Sequence, residues 1–115
     1  HHGLLPIYRG TMCDLFALSE DRPAGFSVHE MTSKLDDGRI LAKCVVSQGK
    51  EKSYIRYLKK TPFEEARVLS GLIQEIANQK SLPDGEENTC SYPIYTKTPR
   101  SKEAIQVLKR KGMSL

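Results

Sequence analysis

Between Phe26 and Tyr57 apolar and polar residues alternate in a way that predicts three antiparallel strands. Asp37-Gly38 is a two-residue hairpin signal, because both positions tolerate positive φ. Gln48-Gly49 can close a second hairpin in the same way. These turns set Leu35 opposite Ile40, and Ile40 opposite Tyr57. One face then collects Met31, Leu35, Ile40, Ala42, Cys44, Ile55 and Tyr57. The other collects Lys34, Lys43, Lys52, Tyr54 and Arg56. A slip of one residue would bury Lys43 and Arg56, so burial as well as turn chemistry specifies this register. Phe26 and Val28 fall on the basic face by strict alternation, a misfit that a bulge near His29 or an early strand end would repair.

The period changes after this meander. Thr61-Pro62-Phe63-Glu64 predicts a helix start, with threonine as cap, proline in the first turn and Glu64 completing a capping box. Phe63, Ala66, Leu69, Leu72, Ile73, Ile76 and Ala77 follow at helical spacing, up to about Lys80. Gly71 is either a weak point in this helix or a place of close packing. The apolar run Cys13 to Leu18 predicts an additional strand, and Ser91 to Thr96 a short strand or extended segment. Thr98-Pro99 opens a second helix that runs to Lys111 and stops at Gly112. The expected fold class is α+β: an antiparallel three- or four-stranded meander packed on one long helix, with a shorter C-terminal helix. Tyr54 to Pro62 also echoes Tyr92 to Pro99, as two copies of a strand-to-helix unit would, although shared capping chemistry explains both Thr-Pro pairs.

A chain of 115 residues accommodates one domain. That domain is expected over residues 12–115. His1 and His2 resemble the end of a purification tag, so residues 1–11 are expected to be tag-derived or disordered, and Tyr8 and Arg9 to carry no functional information. No apolar run approaches the ~20 residues needed to cross a bilayer, and no leader segment is visible. Cys13, Cys44 and Cys90 are an odd number without a CxxC pair. They argue against a disulfide framework and for a reducing compartment, the cytoplasm.

The net charge of +4 is unevenly spread. The meander and the C-terminus are basic, and the long helix with the loop after it is acidic. This segregation suggests an anionic partner. No catalytic or metal-binding motif stands out. Cys13 or Cys44 with His29 would make a nucleophile and base, but His29 is better read as a packed or edge histidine. Asp36-Asp37 is accounted for by the turn, and Glu86-Glu87 by a solvated loop.

The basic face is therefore the leading candidate site. Lys34, Lys43, Lys52 and Arg56 would neutralise phosphates, and Tyr54 would stack on a base. The expected function is a non-catalytic nucleic-acid-binding protein without cofactor or metal. The alternative is a protein–protein interaction module that presents the same face to an acidic protein or to a second copy in a homodimer. No membrane partner is expected.

Overall fold

The computed structural model describes residues 1–110 and 112–114. In chain order the elements are β1 (Tyr8–Gly10), α1 (Cys13–Ser19), β2 (Ala24–His29), β3 (Ile40–Ser47), α2 (Tyr54–Gln79), β4 (Ile94–Thr96) and α3 (Ser101–Arg110). The α+β class stands. The meander does not: the strands form two separate pairs, β1 with β4 in parallel and β2 with β3 antiparallel. No helix among the described residues is long and apolar enough to cross a membrane.

β2 pairs with β3 through Phe26 and Cys44, Val28 and Ala42, and His29 and Ile40. The register shifts between Val28 and His29, where the alternation requires a correction. Between these strands, residues 30–39 form a loop rather than a hairpin strand, and Met31 and Leu35 lie exposed. Gly38 serves close approach here. A Cβ on it would stand 1.8 Å from the Glu30 carbonyl oxygen, beside a Glu30 N–H that donates to the Arg39 carbonyl at 3.0 Å.

The third strand of the expected meander is helix. Ser53, in extended conformation, caps α2 by accepting from the Arg56 N–H at 3.3 Å. Tyr54, Tyr57 and Thr61 fall at helical spacing and are all buried. Their burial overrides the Thr61-Pro62 start signal and leaves Pro62 inside the helix. The Thr61 hydroxyl donates to the Tyr57 carbonyl at 3.2 Å instead of capping. The echo between Tyr54–Pro62 and Tyr92–Pro99 also fails, since the first stretch is helical and the second contains β4. α3 and β4 fall within the expected segments, and the expected last helical residue, Lys111, lies outside the described residues.

The core is organised around α1, not around the expected sheet face. Cys13, Leu15, Ala17 and Leu18 meet Tyr8, Ala24, Tyr54, Tyr57, Leu108 and Met113. A helix buried on nearly all sides shows no amphipathic period, which is why its short apolar run reads as a strand.

The first eleven residues, expected to be tag-derived or disordered, pack into this body. Leu5 and Tyr8 are buried. His1 exchanges two main-chain hydrogen bonds with Ser27, at 3.1 and 2.9 Å. The buried Ser27 hydroxyl accepts from the Leu5 N–H at 2.9 Å and donates to the Gly3 carbonyl at 2.7 Å. The Leu5–Pro6 peptide is cis. Residues 8–10 then enter β1, where Gly10 has φ +106° and a Cβ would lie 2.0 Å from the Thr96 carbonyl oxygen. Only glycine fits that position.

Candidate active site

β1 is the template on which two chemical side chains rest. The Tyr8 carbonyl lies 2.9 Å from His1 Nε2. The Gly10 N–H donates to Asp36 Oδ2 at 3.0 Å. Between them, Arg9 reaches across to hold the loop that carries Asp36, donating from Nη1 to the Asp36 carbonyl at 2.8 Å.

Seated on this strand, His1 and Asp36 meet. His1 Nδ1 stands 3.2 Å from Asp36 Oδ1, and both side chains are largely buried. Each ring nitrogen of His1 thus faces an oxygen acceptor. A neutral imidazole satisfies one of them, and the imidazolium satisfies both. His29, at the end of β2, approaches the same Asp36 oxygen from the other side. Its Nε2 is 4.0 Å away, while its Nδ1 lies 2.9 Å from the Glu30 carbonyl. The two imidazoles pack edge to face, with centroids 6.1 Å apart. Asp36 itself has φ +55°, a left-handed conformation that aspartate takes more readily than most side-chain-bearing residues.

Beside the two histidines lies a groove of about 310 Å³. Phe26, Val28, Met31 and Leu69 give it apolar walls, and Glu65 of α2 adds a carboxylate. On the other side of the Asp36 loop a second hollow of about 280 Å³ is lined by Arg9, Lys34, Leu35, Asp37 and Tyr95, among others. His1 lines the first hollow and Asp36 the second, so the pair lies between them.

Two further buried groups lie nearby, and one of them touches the pair: Cys13 Sγ is 3.9 Å from His1 Nε2. Burial pushes the Cys13 thiol above its ordinary pKa, and its sulfur lies 3.2 Å from the Thr96 hydroxyl. Burial likewise raises the Asp14 carboxyl, against the hydrogen bond that the Tyr54 hydroxyl donates to it at 3.0 Å.

The expected nucleic-acid face does not assemble. Lys34 is exposed in the 30–39 loop, and Lys43 is exposed on β3, 3.6 Å from a Glu86 carboxylate oxygen. Lys52 precedes α2 and Arg56 lies in its first turn. Tyr54 is buried and has no free ring face to offer a base. The five residues belong to a loop, a strand and a helix rather than to one sheet surface. The residues that do converge are His1, which the sequence alone marks as tag-like, and Asp36, which it marks as a turn residue. One signal for them is present in the sequence. Leu4, Leu5, Ile7 and Tyr8 form an apolar segment that a solvated tag does not need.

The sequence matches no protein-family model and no curated protein. Solved structures do share its fold. A formyltransferase from Anoxybacillus kamchatkensis, in complex with UDP-4,6-dideoxy-4-formamido-L-AltNAc and tetrahydrofolate, superposes with TM-score 0.74 at 19% identity, over 98% of this chain and 62% of its own. A 4-N formyltransferase from Francisella tularensis gives 0.69 at 22% identity, over 96% and 41%. A sugar 3N-formyl transferase solved with dTDP and 5-N-formyl-THF gives 0.65 at 21% identity, over 90% and 36%. The chain is similar in fold to part of a sugar N-formyltransferase. It spans less than two thirds of the length of each of these structures.

This likeness corrects the functional expectation. The neighbours are enzymes, so neither a non-catalytic nucleic-acid-binding protein nor an interaction module is the reading the fold supports.

Proposed function

We propose that this chain forms the acid–base part of an N-formyltransferase active site. The reaction moves a formyl group from an N-formyl-tetrahydrofolate to the amino group of a nucleotide-linked sugar. The observation that carries this reading is the His1–Asp36 pair, buried on β1 and bordered by two hollows. The solved structures of the same fold supply the substrate classes.

The chemistry of the transfer asks for what the pair offers. The amine nitrogen attacks the formyl carbon and forms the new C–N bond. It must then lose a proton. The old C–N bond to the folate nitrogen breaks, and that nitrogen must gain a proton. One imidazole that first accepts and then donates meets both demands with no net consumption of acid or base. His1 is the group placed to do this: with Nδ1 held by Asp36, Nε2 is the nitrogen that exchanges the proton, and it must leave the Tyr8 carbonyl, 2.9 Å away, to do so. Asp36, 3.2 Å from Nδ1, orients the ring and stabilises it when it carries the extra proton, the role a buried carboxylate plays beside a catalytic histidine. His29 adds a second imidazole facing the same carboxylate oxygen.

The test is an incubation of the full-length protein with N-formyl-tetrahydrofolate and a panel of nucleotide-linked amino sugars, read by mass spectrometry of the sugar. The expected product carries one formyl group in place of an amine hydrogen. Its absence across sugars with amines at different ring positions would contradict the reading.

A further inference from the structure

We infer that Arg9 and Asn88 act together as a positioning clamp that holds the Asp36 carboxylate in register with His1. The inference rests on the proposed acid–base role of that pair.

Asp36 is held in a left-handed conformation, with φ +55°, within a loop that has no strand pairing of its own. Something outside the loop must fix it. Asn88, nearly fully buried, lies far along the chain. Its side-chain nitrogen donates to two carbonyls of the loop, Asp36 at 2.7 Å and Gly38 at 2.8 Å. Arg9 completes the clamp. Its Nη1 donates to the same Asp36 carbonyl, and its Nη2 donates to the Asn88 carbonyl at 2.6 Å and to Asn88 Oδ1 at 2.9 Å. Every polar atom of the Asn88 amide side chain is therefore engaged, and the guanidinium fork sets which way it points.

The arrangement addresses the Asp36 main chain only. Its carboxylate oxygens stay free for Gly10 N–H and for the two histidines. The side-chain hydrogen bonds of Arg9 and Asn88 go to Asp36, Gly38 and each other, not to His1. They act through Asp36, and their removal should misplace the carboxylate without deleting it. A misplacement of about 1 Å in an active site costs on the order of 100-fold in rate.

The test uses Arg9→Met and Asn88→Ala in the full-length protein, with Arg9→Lys as the milder variant should Arg9→Met fail to fold. Each is made alone and together with Asp36→Asn. The expected result is a fall in kcat of roughly 10- to 100-fold, with KM changed much less. In the Asp36→Asn background the same substitutions should change kcat little further, because the group they position is already disabled. Additive losses, or losses seen in KM rather than kcat, would overturn the clamp.

A second readout does not depend on turnover. The His1 Nδ1–H proton, shielded between ring and carboxylate, should give a slowly exchanging proton resonance. It should weaken in the clamp variants as it does in Asp36→Asn. An unchanged resonance in folded variants also overturns the inference. If no sugar is formylated yet this resonance responds as described, the clamp holds and the substrate assignment is what fails.

Discussion

The site and the far half of α2 are built on different physics, although Glu65 and Leu69 of that half line the groove at the site. At the site, hydrogen bonds join residues 26 to 79 positions apart, among them Gly10 to Asp36, Arg9 to Asp36 and Asn88, and Asn88 to Gly38. Along the far half of α2, from Phe63 to Gln79, Leu72 is the one buried residue, and Phe63 and Ile73 are mostly exposed. The first region is fixed by polar contacts to main-chain atoms, which tolerate little displacement. The second is held by helix propensity, its cap and one side of its surface. A substitution therefore means different things in the two places.

Glycine-to-alanine changes show this most sharply. Gly10→Ala should destabilise the protein by about 3 kcal/mol or more, since it combines positive φ with a clash against the Thr96 carbonyl. Chemical denaturation followed by circular dichroism measures it, and a near-neutral result would break the contrast. The effect of Ser53→Ala should be smaller, about 1 kcal/mol, the usual loss for a helix cap. Gly71→Ala should act in the opposite direction. Nothing lies within 4 Å of a Cβ there, so the added methyl should stabilise by about 0.5–1 kcal/mol. A loss of stability would reveal packing on that face.

The fourth prediction concerns a slope. Burial raises the Asp14 carboxyl above its ordinary value. The folded state therefore holds this proton to higher pH than the unfolded state does. The resulting stability is complete below about pH 4, the unfolded carboxyl value, and is lost as pH rises through the raised folded value. Asp14→Asn should flatten that part of the stability–pH curve. If the slope is the same in wild type and variant, Asp14 is not its source.

The contrast between the two regions also explains what was legible in the sequence. α3, with its Thr98-Pro99 approach and Gly112 stop, announces itself through local capping chemistry. So does β4, through its place after a turn-rich loop. The start of α2 misleads because Tyr54, Arg56, Ile55 and Tyr57 satisfy an alternating pattern and a helical one equally. Only the burial of Tyr54 and Tyr57 with α1, while Ile55 and Arg56 stay exposed, decides between the two. α1 misleads because a short helix buried on most sides has no polar stripe. The site was hidden for a different reason. Asp36-Asp37-Gly38 carries a valid turn signal, and its use of Gly38 for close approach to Glu30 has the same sequence signature. The partner that gives Asp36 its meaning, His1, is placed beside it by main-chain pairing with Ser27 and by β1. No local pattern encodes that meeting.

The most direct test of the central claim is the rate of formyl transfer by Asp36→Asn, set against wild type in the same assay, with the unfolding midpoint of both recorded. Asparagine keeps the shape and the acceptor for Gly10 but cannot stabilise a protonated His1. The account predicts a fall in kcat of roughly 10²- to 10⁴-fold with the midpoint little changed. Transfer at the wild-type rate by the folded variant would contradict it.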